Sequence, residues 1–497
     1  MKKVVSIILF TALILFAATL FSCQDSQDKG AADGTTASVI GDGEQTESET
    51  VDELAPNLPD EDFGGYEFRV ISRGDDWHTY PVHSRDIWVE GENGEIINDA
   101  VYKRNLLIEE KFNIKIKLTT LPELTGEGEN GPILTVQRAH AAGEDSFDLV
   151  MGHEIYLGTS ASAGYYNNWY DVPYVDLSKP WWNQEAITQL SIGQRAFLAL
   201  SDLGMGSYDH AYCILFNKKH HADYNIDNLY DLVDSGKWTF DKLHSLYTDM
   251  YIDLDGNEKR TIDDFYGFIE GGSYLNWFFA GGNRITQKDN NNLPYYDLIN
   301  ERSTSTFFKA SAMTLDLGCY RFDIWINEDI IPMFSSGKGL FLGTQVGSIS
   351  QLRGMEVDFG IVPYPKFDET QEGYYNFIDG HASLMGVPKM VQEIDKVGAI
   401  IEALSYESYK SVRPAYYDVA LKGKFSRDNE SENMLDIVFN GTIYDFDYVF
   451  GSSIVTYIFF NNLKDGKENF VSDVEKNIVR AETNLEKVIE TFQSITE

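Results

Sequence analysis

The stretch from residue 253 to residue 264 carries oxygen donors at the spacing of a calcium-binding loop. Position six is Glu258, where such a loop expects glycine for a sharp turn. The pattern therefore fits two interpretations, a structural calcium ion that braces the loop or an acidic surface turn. No cofactor is required under either one. The donors at positions one, three, five, seven and twelve are Asp253, Asp255, Asn257, the backbone carbonyl of Lys259 and Asp264.

Local enzyme motifs are missing from the sequence. It contains no HExxH zinc motif, no nucleophile elbow and no phosphate-binding P-loop, and its nine histidines show no ligand spacing beyond the adjacent pair His220-His221. A glycoside hydrolase with two distant carboxylates stays open as an alternative, because such pairs leave no local signature. We predict a protein that is not an enzyme, and hydrolysis of an oligosaccharide would be the discriminating assay.

The first residues predict export and lipidation. Lys2 and Lys3 precede an apolar run from Val4 to Leu20, as in a secretory signal, and the run is short for a membrane span, which needs about 20 residues. It ends in Leu-Phe-Ser-Cys, which resembles a bacterial lipobox and implies a lipid on Cys23. Residues 1–22 are then a signal peptide, and the protein is held at the extracytoplasmic face of the cell membrane. The alternative is an ordinary signal peptide with an incidental cysteine.

Residues 23–62 are predicted to form a disordered acidic tether. They are rich in Ser, Thr, Gly, Asp and Glu, and Lys29 is their one basic residue. Such a segment buries too little apolar surface to offset the entropy of ordering. A flexible chain of this length reaches roughly 35 Å. Anionic headgroups repel its charge, so the membrane is bound through the lipid alone.

The chain from residue 63 onward has a globular composition. The whole sequence is 43% hydrophobic and carries a net charge of −38. This charge argues against a nucleic-acid partner, because no basic stripe is present to neutralise phosphates. Only Cys213 and Cys319 accompany Cys23, so no disulfide framework is expected, although one bridge between the two stays open. Nothing after residue 23 is long and apolar enough to cross a bilayer, so the body is expected outside.

Strands and helices are predicted to alternate in this body. Apolar and polar residues alternate at 66–70 and at 114–119, as in half-buried strands, and 147–151 is apolar nearly throughout, as in a strand covered on both faces. Between the first two strands, Asn98 is placed to cap a helix. This order predicts a right-handed parallel sheet.

Two loops follow the carboxyl ends of these strands, where open α/β sheets bind their ligands. They are Arg73-Gly74-Asp75-Asp76-Trp77 and Gly152-His153-Glu154. These two loops are therefore expected to border a ligand site.

Several segments resemble the extracellular solute-binding proteins of sugar-type ABC importers. Residues 97–105 and 108–114 resemble their first helix and second strand, and 147–150 resembles their third strand. Residues 235–243 resemble a helix start after a short loop, and 333–341 the return to the first lobe. The lipid-anchored members of Gram-positive-type bacteria are the most similar.

This resemblance implies an α/β fold of the periplasmic-binding-protein-like class, type II, with a ligand cleft between two lobes joined by crossing strands. A strand at 211–217 would follow the first crossing, and 376–387 would contain a later one. The ligand would stabilise a closed form by hinge closure. The predicted boundaries are 63–180 and 325–375 for lobe one, and 181–324 and 376–497 for lobe two.

The resemblance also implies partners. The protein would be a monomer that binds a small-molecule solute, a sugar, and delivers it to ABC transporter permease subunits. An alternative is a surface protein that captures polysaccharide without feeding a transporter. Neighbouring genes for two permease subunits would count against that alternative.

Candidate ligand-binding residues are expected in both lobes. The loops after the strands correspond to sugar-contacting loops in proteins similar to maltose-binding protein, and one of two adjacent tryptophans near the hinge is expected to face the cleft. Lobe two would add an aromatic loop beside the sugar and a ring in the closing helical region. For each ring, packing in the core is the competing interpretation. The candidates are Asp75, Asp76, Trp77, His153, Glu154, Trp181, Trp182, Tyr274, Trp277, Gln345, Tyr416 and Tyr417.

Overall fold

Two β-sheets organise the chain in the computed structural model, which describes residues 54–74, 84–121, 131–322, 329–416, 429–451 and 454–494. The strands, numbered in chain order, are β1 (Tyr66–Arg73), β2 (Ile114–Leu121), β3 (Leu149–Gly152), β4 (Tyr212–Asn217), β5 (Tyr251–Ile252), β6 (Phe265–Glu270), β7 (Thr286–Lys288), β8 (Pro294–Tyr296), β9 (Cys319–Arg321), β10 (Gly339–Gln345), β11 (Phe359–Val362), β12 (Asn376–Phe377), β13 (Leu384–Gly386) and β14 (Thr442–Ile443).

Helices surround both sheets. They are α1 (Ser84–Ile87), α2 (Ile96–Phe112), α3 (Pro132–Ala142), α4 (Glu154–Ser162), α5 (Gln184–Leu190), α6 (Gly206–Asp209), α7 (Lys218–Asp223), α8 (Leu229–Asp234), α9 (Phe240–Tyr247), α10 (Tyr274–Ala280), α11 (Glu301–Leu315), α12 (Ile330–Ser335), α13 (Ile394–Glu407), α14 (Asn429–Asn440), α15 (Phe446–Phe450), α16 (Thr456–Asp465) and α17 (Phe470–Ser494). Within the described ranges, none of these helices has the length and apolar character to cross a membrane.

The first sheet confirms the predicted parallel strands. Its order is β13-β3-β1-β2, with β1 parallel to both β2 and β3, and β13 antiparallel to β3. Phe68 and Val70 of β1 are buried, as the alternation in the sequence predicts. The predicted cap of α2 is wrong, because Glu95 caps the helix by accepting from the backbone N–H groups of Ile97 and Asn98.

The second sheet has the order β11-β4-β10-β6-β5, and β9 also pairs with β6. Strand β10 lies in its centre, antiparallel to β4 and parallel to β6. Cys213 on β4 and Cys319 on β9 are buried free thiols, so the bridge that the sequence left open does not form in this structure.

Strand pairing corrects the predicted lobe boundaries, where lobe one is the part built on the first sheet. Residues 325–375 were assigned to lobe one, yet β10 and β11 both pair with β4 in the second sheet. Conversely, β13 pairs with β3, and α13 packs on α2. Residues 384–407 therefore belong to lobe one, and Trp181 and Trp182 share its core.

Two of the described segments cross between the sheets, as predicted. The first leads through α6 to β4, and the second, residues 378–383, leads from β12 to β13. A further contact joins the lobes where α15 packs on α4. A Cβ at Gly158 of α4 would collide with the backbone carbonyl of Val449, so these two helices are in close contact and glycine is needed at that position.

The described part of the predicted tether differs from its prediction. Residues 54–62 form no helix or strand, but Leu58 is partly buried against the core of lobe one. The signal peptide, Cys23 and the tether up to residue 53 lie outside the described residues.

Candidate functional site

A chain of polar side chains connects the two sheets at the crossing segments. Arg73, the last residue of β1, donates through Nε to Ser383 Oγ at 3.3 Å and through Nη2 to the carbonyl of His381. His381 Nδ1 lies 2.5 Å from Asp379 Oδ1. The neighbouring Tyr212 of β4 donates to Asp379 Oδ2 at 3.5 Å. The carboxyl end of β1 is thus linked through the second crossing to lobe two.

Gln345 stands at the lobe-two end of this chain. It is the last residue of β10, is partly buried, and its Nε2 donates to Tyr212 Oη at 3.4 Å. The sequence analysis selected Gln345 but passed over Tyr212, His381 and Asp379, which are single polar residues without a motif. Their one signal was membership of the segments 211–217 and 376–387, which the resemblance had marked as crossings.

His153 and Glu154 lie at the carboxyl end of β3, beside the second crossing. The rings of His153 and His381 are 4.7 Å apart between centroids, and those of His210 and His381 are 6.0 Å apart. The backbone N–H of Glu154 donates to the carbonyl of Gly380 at 2.9 Å. Both predicted residues therefore reach the junction between the lobes, as the rule for strand ends indicates.

Burial and neighbouring charges alter the protonation of this group. Burial, aided by the negative charge of Asp379, raises the pKa of Glu154 well above its ordinary value. Glu154 Oε1 is buried without a hydrogen-bond partner among the described residues, an arrangement that favours the protonated acid. Burial opposes ionisation of Asp379 as well, yet its hydrogen bond and proximity to His381, together with His210, hold its pKa below its usual range.

His153 is neutral in the folded protein for two reasons. Its Nδ1 accepts a hydrogen bond from the backbone N–H of Ile155 and so caps α4, which a protonated ring could not do. Burial, together with the nearby His381 and Arg73, also lowers the pKa of His153 well below the ordinary value. Protonation of His153 is therefore linked to unfolding.

This linkage predicts how stability depends on pH. Below about pH 6.5 the unfolded chain binds a proton at His153 that the folded chain does not, so acidification favours unfolding. In His153→Asn the cap is retained and the titration is lost. From pH 6.5 to 5, we expect the unfolding free energy of the parent to fall by up to about 1.4 kcal/mol per pH unit more than that of His153→Asn. Urea unfolding across this range tests the prediction, and parallel curves would contradict it.

A second network lies on α1 and α6. Arg85 is 3.4 Å from Asp86 and 3.3 Å from Asp209, and Tyr416 donates its hydroxyl to Asp209. Burial, with the nearby Asp209, raises the pKa of Asp86 to about 7. The backbone N–H of Met205 donates to Asp86 at 2.7 Å. Tyr416 is thus a buried member of a charge network, and its ring does not present a free stacking face.

The prediction that Tyr274 and Trp277 stack on a sugar is wrong. Both side chains are fully buried in lobe two. Trp277 Nε1 donates to the buried Glu270 at 2.7 Å, and Tyr274 Oη donates to the carbonyl of Phe322. They lie on α10, whose residues are buried all round, so their aromatic character serves the core.

The two adjacent tryptophans also belong to a core. Trp181 and Trp182 are each 1% exposed. Trp182 Nε1 donates to Glu402 at 2.9 Å, and the ring of Trp181 meets Tyr406 edge to face. Both residues line a cavity together with Asp202 and Tyr208, but at this burial neither ring presents a face for stacking, in contrast to the prediction that one of them faces the cleft. The candidates Asp75, Asp76, Trp77 and Tyr417 lie outside the described residues.

The predicted calcium loop converges on one point. Ligand oxygens of Asp253, Asp255 and Asp264 all lie within 4.8 Å of one another. Glu258 adopts a left-handed backbone with φ of 59°, so this residue makes the turn for which glycine was expected. Its N–H donates to Asp253 Oδ2 at 2.9 Å. The donor set and the turn fit a calcium ion.

The fold is shared with solved structures of other proteins, two of which are described as binding proteins. A cyclo/maltodextrin-binding protein complexed with maltotetraose has a TM-score of 0.52 and 15% identity, over 88% of this chain and 99% of that one. UspC of M. tuberculosis has a TM-score of 0.54 and 14% identity, over 84% and 99%. An ABC substrate-binding protein from Listeria monocytogenes in complex with cycloalternan has a TM-score of 0.51 and 12% identity, over 86% and 99%.

These matches confirm the predicted fold class, an α/β two-lobed fold of the periplasmic-binding-protein-like type II. No protein-family model matches the sequence, and no curated protein matches it. At identities of 12 to 15%, the structural likeness defines the architecture, and the ligand has to be argued from the site.

Proposed function

We propose that this protein is a lipid-anchored, extracytoplasmic solute-binding protein that captures a carbohydrate and delivers it to an ABC permease. The observation that supports it is the polar junction at the carboxyl ends of β1 and β3, placed between two lobes of a fold that holds maltotetraose and cycloalternan in similar proteins. Ligand closure acts through the segments that cross between the lobes.

Paired charges in the junction and in the neighbouring Arg85 network favour a neutral ligand. Arg85 is paired with Asp86 and Asp209, and Asp379 is paired with His381. An ionic ligand would have to compete with these partners, because a buried charge is stable only when it is compensated. Sugar hydroxyls donate and accept at once, so they can join the network without displacing a charge.

Closure has to preserve the packing between α4 and α15. These helices come from different lobes, and the close approach at Gly158 leaves no room for sliding. The movement of the lobes during closure therefore takes place in the crossing segments and in the loops around the cleft. A thermal-shift screen against mono- and oligosaccharides tests the proposal, because a ligand that binds only the folded state raises the melting temperature. A screen without any stabilising sugar would contradict it.

Anchoring through Cys23 is tested by removing its thiol. Because the lipid is proposed to be the sole anchor, Cys23→Ala should move the protein from the membrane fraction into the medium or periplasm. Ser26→Ala, three residues further on, is the matched control and should stay with membranes. Fractionation followed by immunoblotting measures this, and sedimentation of Cys23→Ala with membranes would show another anchor.

We also propose that the loop at 253–264 binds calcium as a structural ion. Chelation should then lower the melting temperature of the parent, because the carboxylates that converge there lose the charge that compensates them. The double variant Asp253→Ala, Asp255→Ala should lose this response. Asp289→Ala removes an exposed aspartate that closes a different turn and should keep it. If chelation does not change the melting temperature of the parent, the loop is an acidic surface turn without a bound ion.

A further inference from the structure

Among the described residues, three histidines and an aspartate meet at the second crossing. His381 Nδ1 lies 2.5 Å from Asp379 Oδ1, and the centroid of the His381 ring lies 4.7 Å from that of His153 and 6.0 Å from that of His210. Histidine is the residue whose unperturbed side chain changes its charge between pH 5 and 8. A segment that joins the lobes therefore carries groups that can respond to pH.

Of these three histidines, His381 is the best placed to take up a proton. His210 is fully buried, and its Nδ1 is hydrogen-bonded to the carbonyl of Gly206 at 2.8 Å. His153 is kept neutral by its role as the cap of α4. The side chain of His381 is 23% exposed and is in contact with the carboxylate of Asp379. A proton on His381 is therefore in reach of water and is stabilised by a negative charge.

Lobe one places a second positive charge beside His381. The guanidinium of Arg73 donates to the backbone carbonyl of His381. Burial raises the pKa of Glu154 well above its ordinary value, so this neighbouring acid is neutral and adds no compensating charge. When His381 is protonated, the three side chains of Arg73, His381 and Asp379 together carry a net positive charge. Such a charge is costly to remove from water unless a partner compensates it.

The described groups that lobe two brings to this place are neutral. Tyr212 of β4 donates to Asp379 Oδ2 at 3.5 Å, and Tyr448 of α15 accepts from the backbone N–H of Gly380 at 3.1 Å. Burial raises the pKa of Tyr448 and also that of Tyr457 on α16, which is close to Asp379. Closure of the lobes would therefore take water away from the junction without adding a negative charge to it.

We infer that His381, paired with Asp379, makes ligand binding sensitive to pH, because the closed form with bound ligand excludes a proton that the open form accepts. The inference rests on the proposed function, since it concerns closure of the lobes on a carbohydrate. The form that binds fewer protons is disfavoured as the pH falls, so acidification weakens binding. By reciprocity, binding of the ligand releases the proton. One such proton changes the affinity by at most about tenfold per pH unit.

The test uses the full chain, with maltotetraose as the first probe and then any other sugar that the thermal-shift screen identifies. Calorimetry at pH 7.5 and at pH 5.5 should give a dissociation constant that is about tenfold larger at the lower pH. At pH 6.5, the heat of binding should differ between phosphate and Bis-Tris buffers, which have different enthalpies of ionisation. The difference should correspond to release of a fraction of one proton for each sugar bound.

Three variants assign this effect to its residues. His381→Asn keeps a donor for Asp379 and cannot be protonated, so its dissociation constants at the two pH values should agree within about twofold. Asp379→Asn removes the negative charge that stabilises the proton, and its loss of affinity should occur at a lower pH than in the parent. His221→Asn changes a histidine of α7 outside the junction and should behave like the parent.

Melting curves at both pH values confirm that each protein is folded. Equal affinity of the parent at pH 7.5 and pH 5.5, or binding without release of a proton, would overturn the inference and leave the proposed function intact. An acidic loss of affinity that persists unchanged in His381→Asn would also overturn it. If no sugar binds at either pH, the proposed function fails, and the inference fails with it.

Discussion

Replacing Trp277 by alanine is expected to lower the free energy of unfolding by about 3 to 5 kcal/mol, the usual cost of truncating a buried large aromatic side chain. The ring is fully buried and lies edge to face with Phe240 and Tyr364. Its Nε1 donates to Glu270, which also accepts from Ser273. The variant therefore loses packing and leaves a buried carboxyl short of one donor.

Two further variants separate the loss of packing from the loss of the hydrogen bond. Trp277→Phe keeps most of the ring volume and loses the N–H group, so we expect about 1 to 3 kcal/mol of destabilisation from the unsatisfied Glu270. Trp88→Ala removes a tryptophan that is 44% exposed and should change stability little. Urea unfolding of the three variants measures the series. Trp277→Ala with parental stability and weakened sugar binding would contradict the assignment of Trp277 to the core.

The cognate sugar should bind unaltered with about −8 to −12 kcal/mol, the range from micromolar to nanomolar affinity. At a thousandfold excess over the dissociation constant, this binding should add about 4 kcal/mol to the free energy of unfolding. Trp77→Ala is the variant that tests a stacking ring in the cleft, and it should cost about 1 to 3 kcal/mol of binding if the ring is a central anchor. Calorimetry of the parent, Trp77→Ala and Trp88→Ala, the last as control, measures these values.

The local sequence pattern was sufficient to predict much of the structure of lobe one. The alternation at 66–70 and 114–119 predicted β1 and β2, because a half-buried strand imposes a period of two on its side chains. The apolar segment at 147–151 predicted β3, and the order of elements predicted parallel pairing, which the registers confirm. From these strands the rule for carboxyl ends led to His153 and Glu154.

These patterns could not predict which strands pair when the partners are distant in the sequence. Strand β10 is apolar and fits either sheet, and its place beside β4 and β6 is decided by partners more than 60 residues away. The same holds for β13, which returns to β3 from across the chain. The sequence of a strand indicates that the strand is buried, but it does not indicate which neighbouring strand it pairs with.

The direction in which side chains point also could not be predicted from the sequence. Trp277 and Tyr274 have the composition of a sugar-binding loop, but a helix that is buried on all sides turns every ring inward. Asp379 and His381 are two residues apart, but His210 meets them only through the crossings, so no spacing in the sequence connects the three. Glu258 shows the same limit at a turn, since its residue type argued against the left-handed backbone that it adopts.

Small-angle scattering with and without the cognate sugar tests the central claim most directly, because the proposed function requires two lobes that close on a ligand. The sugar is the one found in the thermal-shift screen, and its recovery after binding is checked by chromatography. We predict a smaller radius of gyration at saturation, together with intact sugar. Tight binding with an unchanged radius of gyration would contradict closure, and consumption of the sugar with turnover would contradict a transport function.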